Sequence, residues 1–282
     1  MLFYRDQFRY EYCGIYDDGK RGMTELQRSE EVAKKRAILS HYTSYEALKC
    51  ILSQRNLKFN RIDNVNDRME SNVFGEHELS RLVFVSCFTN SEIESIPMWS
   101  IYGKDQNGLR LSLELEKSNF TENFLGKPFG ALAHKPGHSG EFIKMIELYS
   151  DWIPTATMKD IVYDIDAIYR NPIRNGDADS LWFNLTAMAA IKRKEWEYEK
   201  ESRLIITLSA IHDGVTAPLE DYILVPIKFD CIKKLVVTFN PWMSEELKKE
   251  IEEFVISKIP ELNPEKIDFK NSVLTGEIKE LH

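Results

Sequence analysis

The sequence lacks closely spaced cysteines: its four, Cys13, Cys50, Cys87 and Cys231, lie far apart. That excludes the C-x-x-C zinc and thioredoxin-type patterns. Cys50 and Cys87 stand inside apolar runs, where a free thiol behaves as a small hydrophobe, and a reducing, cytoplasmic setting is expected. The chain also lacks any run near the ~18 consecutive apolar residues that a membrane span needs. Its opening, MLFYRDQFRY, carries charges where a secretory signal has its apolar centre, so no membrane partner is expected. An excess of positive charge is missing too: 37 Lys and Arg stand against 45 Asp and Glu, a formal net charge of −8. Such a surface as a whole repels phosphate backbones and leaves only a local basic patch as a route to nucleic acid.

What is there suits a packed globule: 282 residues, 43% of them hydrophobic and 11% aromatic, with no internal repeat or low-complexity linker to divide them. Residues 1–36 read as an N-terminal extension, and 37–282 as one α+β domain with an insertion or lid at about 120–180.

Within that domain, Ala37–Tyr42 suits a short strand. Thr43 followed by Glu46 makes a T-x-x-E capping box, opening a helix with Tyr45, Leu48, Ile51 and Leu52 on one face. LKFNRI, LVFVSCF and LRLSLEL read as strands, with IPMWSIYG between the last two as a helical turn started by Pro97. SLWFNLTAMAAIKRK reads as a helix, and EWEYEKESRLIITL, ILVPIKF and IKKLVVTF as strands. An amphipathic helix, SEELKKEIEEFVISKI, and a last strand, KIDFKNSVL, close the chain.

Four clusters have both a scaffold and a chemical reading. His41-Tyr42-Thr43 is a helix cap with a strand-end histidine, or one wall of a ligand site. Asn66, Asp67 and Glu70 make side-chain turns, or supply carboxylates. Trp99 and Tyr102 fill a core turn, or form a shelf for a flat heterocycle. Glu199, Glu201 and Arg203 project to one side of an extended chain, as a solvated charged face or as carboxylates placed to stabilise a developing positive charge.

Taken in order, HYTSYEALKCIL, LKFNRIDNVNDRMES, VSCFTN with MWSIYGKDQNGLRLSLEL, and WEYEKESRLI resemble the bacterial family called domain of unknown function 2971. The layout of these pieces is also similar to that of ADP-ribosyltransferases, and VFVSCFTNSEIESIPMWSIY is similar to the Pro-Met-Leu-Tyr region of the nucleic-acid-modifying toxins in that superfamily. This second resemblance implies a mixed, mainly antiparallel split sheet flanked by helices, NAD as substrate, and a role as a toxin or phage-defence effector. The acceptor, whether nucleic acid, protein or small molecule, stays open.

Among the residues, the resemblance implies that His41 bonds a ribose hydroxyl and that the Tyr42 backbone holds the nicotinamide amide. Tyr102 or Trp99 stacks on the ring, and Arg203 belongs to the binding set. Glu201 grips the nicotinamide ribose and stabilises the oxocarbenium-like transition state, while Glu199 orients the acceptor, with no metal required. His41 and Glu201 are expected to face one cleft. The chain departs from the superfamily in carrying Tyr42-Thr43 after the His. Two other readings stand beside this one: a non-catalytic nucleotide- or protein-binding module using the same cleft, and a metal-dependent nuclease built on Asp67, Glu70 and one Glu of the E-x-E.

Overall fold

The structure, a computed structural model, describes residues 31–33, 35–67, 70, 78–103, 106–126, 132–134, 142–144, 152–163, 174–175, 182–183, 185–210 and 219–278. Residues 1–30 of the expected extension and most of the expected 120–180 insertion lie outside the described residues.

Alternation of apolar and polar residues places the first strands. Strand β1 (Ile38–Ser44) leads directly into helix α1 (Tyr45–Gln54), which buries Tyr45, Leu48 and Leu52 at helical spacing. The cap is one residue later than the capping box requires. Thr43 stays in the strand ladder opposite Leu109, so Ser44 is the residue left at the helix entrance, and its hydroxyl accepts from the Ala47 amide at 3.2 Å. Glu46 pairs on the surface with Lys49 at 2.7 Å.

Strands β2 (Asn56–Arg61), β3 (Val83–Thr89) and β4 (Gly108–Leu115) follow, with helix α2 (Ile96–Tyr102) between the last two and Pro97 in its first turn. Then come β5 (Leu132–His134), β6 (Phe142–Lys144), β7 (Trp152–Asp160), β8 (Glu201–Ala210), β9 (Tyr222–Pro226) and β10 (Ile232–Phe239). Helix α3 (Glu245–Lys258) and β11 (Ile267–Asn271) end the order.

These strands form one mixed, mainly antiparallel sheet in the order β11-β10-β4-β1-β3-β2-β9-β5-β6, and β8 branches from β3 to carry β7. Among the described residues, only the β10–β11 pair within it is parallel.

The branch at β3 splits the sheet. One edge of β3 is paired to β8 from Glu201↔Thr89 to Thr207↔Val83. The other edge is shared, with β1 meeting it at Ser40↔Thr89 and β2 meeting it at Asn60↔Val85 and Arg61↔Phe84. Between those contacts Ser86, Cys87 and Phe88 face a fork. Helices α1 and α3 cover one face there, with Tyr45 edge-on to Phe254 at 5.8 Å, and Leu39, Leu48, Leu111, Val237 and Val255 are buried in the core. Each such side chain contributes roughly 1.5–3 kcal/mol when fully buried.

The expected helix over SLWFNLTAMAAIKRK is cut to Leu185–Met188, because Ile191–Lys192 leaves to pair with Val162–Tyr163. The start of EWEYEKES is likewise not extended: Lys194–Glu199 is a 3-10 turn closed by Lys200 at φ 44°. Only Glu201 onward is strand.

Candidate functional site

Opposed residues in an antiparallel ladder share a face, and neighbours along a strand do not. Ser40 stands opposite Thr89, and Thr89 opposite Glu201. Ser40, Tyr42, Cys87, Glu201 and Arg203 therefore share one face, and His41 lies on the other. Its ring sits 5.2 Å from Phe88 and lines an apolar cavity of about 30 Å³ with Leu48, Leu111 and Val255.

The expectation that His41 and Glu201 face one cleft is thus corrected by a single pleat step. His41 Nδ1 lies 2.8 Å from the Cys87 carbonyl in the fork. Burial lowers its pKa, so the ring is the neutral tautomer with Nδ1–H donating.

On the opposite face, Tyr42, Met98 and Trp99 form a small buried cluster against which Tyr102, Tyr198 and Leu274 pack. Trp99 is 1% exposed. Its indole N–H donates to Glu94 at 2.9 Å, and its ring meets Tyr42 edge-on at 4.9 Å. Trp99 is therefore a core residue and offers no free face for stacking. The Tyr42 hydroxyl accepts from the Ser95 amide at 3.1 Å. Tyr102 reaches further out, its hydroxyl 2.8 Å from both Asn66 Nδ2 and Glu199 Oε1.

Beside this cluster lies a charge network that is far from the solvated face a charged run usually makes. The side chains of Glu70, Glu199, Glu201, Lys192 and Arg203 are each at most 4% exposed. Lys192 Nζ donates to Glu199 Oε2 at 2.6 Å and to Glu201 Oε2 at 3.1 Å, and lies 3.6 Å from Glu70. Arg203 grips Glu201 through Nε at 2.6 Å and Nη2 at 3.1 Å, gives Nη1 to the Ala189 carbonyl, and pairs with Glu70. Arg203 is the counter-charge of two carboxylates, and its fork is used within the protein rather than toward a ligand. Asp67 is held by Arg193 through two bonds of 2.7 and 2.9 Å.

The two carboxylates of the E-x-E are driven apart. Burial would raise Glu201, but Arg203 and Lys192 outweigh it and hold its pKa at about 2. Glu199 is raised, first by burial and further by the Glu201 charge, against the pull of Lys192. Burial opposes charge on Lys192, yet the surrounding carboxylates, Glu201 foremost, hold it above its ordinary value. One carboxylate is a fixed anion and its neighbour stands nearer protonation, an arrangement that separates acid and base roles.

The structure gathers Glu199, Glu201 and Arg203 into one buried network with Tyr42, Trp99 and Tyr102 beside it, but Glu199 arrives there from the 3-10 turn rather than from the extended chain that alternation implied, and His41 lies on the other face. Sequence reasoning missed Lys192, the cation common to three carboxylates. The signal available was a lysine ending the apolar run AMAAI. For the nuclease reading, Asp67 and Glu70 are each engaged by an arginine, and no group of three or more His, Cys, Asp or Glu among the described residues is placed to hold a metal.

No protein-family model matches the chain, and no curated protein matches it. The resemblance to domain of unknown function 2971 thus gains no support. Among solved structures, the chain is similar to Thermus sp. 2.9 DarT in complex with NAD+, with 10% identity, a TM-score of 0.31, and coverage of 83% of this chain and 95% of that one. The carba-NAD+ complex gives 12% identity, a TM-score of 0.31 and the same coverage. The complex with ADP-ribosylated ssDNA gives 10% identity, a TM-score of 0.32, and coverage of 83% and 94%. Likenesses this slight carry no weight for the activity of this chain.

Proposed function

We propose that this chain is an NAD-consuming transferase of the ADP-ribosyltransferase type, reacting at the turn Glu199-Lys200-Glu201. The observation that carries the reading is the carboxylate pair itself: an anion fixed by Arg203 and Lys192 beside a second carboxylate hydrogen-bonded to Tyr102. When nicotinamide leaves with its bonding electrons, positive charge develops on the ribose. A preorganised anion in a dry site stabilises that charge without reorganisation. Glu201 supplies the field, and Glu199, at the end that accepts from the Tyr102 hydroxyl, is the group that meets the acceptor and takes its proton. His41 serves the scaffold in this assignment.

The test is nicotinamide release, with calorimetric NAD binding measured alongside. Glu199→Gln removes the proton acceptor while keeping the shape, and release should fall on the order of 10²-fold, within the range that general acid–base catalysis supplies, with NAD affinity kept. Wild type that neither binds nor cleaves NAD with nucleic acid, protein and small-molecule acceptors present would end the transferase reading.

A specific observation favours a second reading. Tyr42, Trp99, Arg203 and Glu201 all have internal partners, as in a rigid, non-catalytic module that senses a nucleotide. NAD binding without release under every acceptor would select it.

A further inference from the structure

Arg110 sits in the middle of β4, 7% exposed, on the same face as Tyr42. Its Nη2 donates to the Ser91 carbonyl at 2.5 Å, its guanidinium carbon lies 5.8 Å from the centre of the Tyr42 ring, and its Nε has no partner. Among the described residues no carboxylate forms an ion pair with it. Arg203, buried more deeply still, has two. A buried cation without a counter-charge is costly, and an unpartnered donor beside it is a feature that a ligand's oxygens would satisfy.

The frame around Arg110 is rich in hydroxyls. Thr238 of β10 stands directly across from it. Ser112, two residues along β4, faces Ser40, their hydroxyls 2.7 Å apart. Ser40 in turn stands opposite Thr89. All of these lie on Arg110's face by register.

We propose that Arg110 is an oxyanion-binding residue whose ligand is a phosphate-type group, namely the diphosphate of a dinucleotide bound along this face. A guanidinium presents a planar edge of donors that matches phosphate oxygens, and flanking hydroxyls add further donors. The Ser91 carbonyl now occupies the place of one such oxygen, and the ligand displaces it. Glu201 stands three strands away from β4, about 14 Å by ordinary strand spacing, level with Ser112 and on the same face as Arg110. The identification with a dinucleotide rests on the transferase reading, whereas the oxyanion site does not.

The experiment is isothermal titration of the full chain with pyrophosphate, orthophosphate and ADP-ribose in a buffer free of other polyvalent anions. Pyrophosphate is expected to bind more tightly than orthophosphate. Arg110→Gln should weaken pyrophosphate by about tenfold or more, the loss of one charge-assisted contact, and Arg110→Lys by less. Hydrogen exchange of wild type should rise at Ser91–Ile93 when pyrophosphate is added, a readout that needs no variant to fold. ADP-ribose losing affinity in parallel in Arg110→Gln identifies the source as a nucleotide diphosphate; unchanged ADP-ribose binding assigns the site to free phosphate and overturns the dinucleotide assignment. Wild type that does not bind pyrophosphate, or a folded Arg110→Gln that binds it as wild type does, overturns the site. Pyrophosphate binding without any nicotinamide release would instead leave the site standing and remove the transferase.

Discussion

Lys192 shows how much a single residue holds. It neutralises three carboxylates, Glu70, Glu199 and Glu201, so Lys192→Met should destabilise the fold strongly. Removing one partner of a buried pair costs roughly 3–5 kcal/mol, measurable as a shift in urea midpoint. Glu201→Gln makes the converse defect by leaving Arg203 and Lys192 short of negative charge, and for that reason Glu199→Gln is the cleaner probe of chemistry. The same pair fixes the response to acid. Glu201, held at about 2 in the folded state, contributes stability that is complete above its ordinary carboxylate value and is lost as pH falls toward 2. The effect is on the order of 3 kcal/mol, and the pH dependence of the urea midpoint should flatten in Glu201→Gln. Glu199 has the opposite sign: its raised pKa favours folding at low pH, and that contribution disappears as pH rises through the folded value. His41, lowered by burial, adds a further acid-side loss below its ordinary value near 6.5, where the unfolded chain takes up a proton first.

At the scale of elements, α1 gives the sharpest test. Ser44→Ala should cost about 1 kcal/mol, the usual worth of a cap. Glu46→Ala should stay within about 0.5 kcal/mol, since its pairing with Lys49 is a surface one. Equal effects in thermal melts would restore the capping box.

The cap also marks how far the sequence could be read. Strands β1 to β4 and β10 follow from apolar runs and alternation, and their ends shift by only a residue or two, whereas β8 begins at Glu201, well inside the run expected to be extended. Ser44 and Thr43 are both good caps, and only the register of β1 against β4 decides between them. The helix expected over 180–194 failed for a related reason. Alanines favour a helix, but Ala190 accepts the Val162 amide at 2.8 Å and Ala189 accepts Arg203, so tertiary bonds outweigh local propensity. In the site, Glu199, Glu201 and Arg203 were legible because they stand together. Lys192, the cation shared by the two glutamates, was not, since the 3-10 turn at Lys194–Glu199 brings it back from outside the window.

For the whole molecule, the close approach between Gly108, which opens β4, and Gly103, which ends α2, offers one more test. A Cβ on Gly108 would lie 2.3 Å from Gly103 Cα, and backbone cannot swing aside as a side chain can. Gly108→Ala should therefore push α2 off the sheet, loosening Tyr42, Trp99 and Tyr102 together. Near-ultraviolet circular dichroism should report the lost aromatic packing, and an unchanged spectrum would mean that the contact relaxes locally.

The fork at β3 has a consequence of another kind. The Cys87 carbonyl there is answered by an imidazole where a neighbouring strand would have offered an amide. His41 is thus a wedge, keeping two halves of a sheet from zipping together while satisfying the group that zipping would satisfy. Its replacement by valine should do more than leave a hole, because β1 gains a reason to slide along β3 and recruit that carbonyl. The gap in the sheet thus persists because of what fills it, and the spacing of β1 and β2 along β3 is tied to one imidazole.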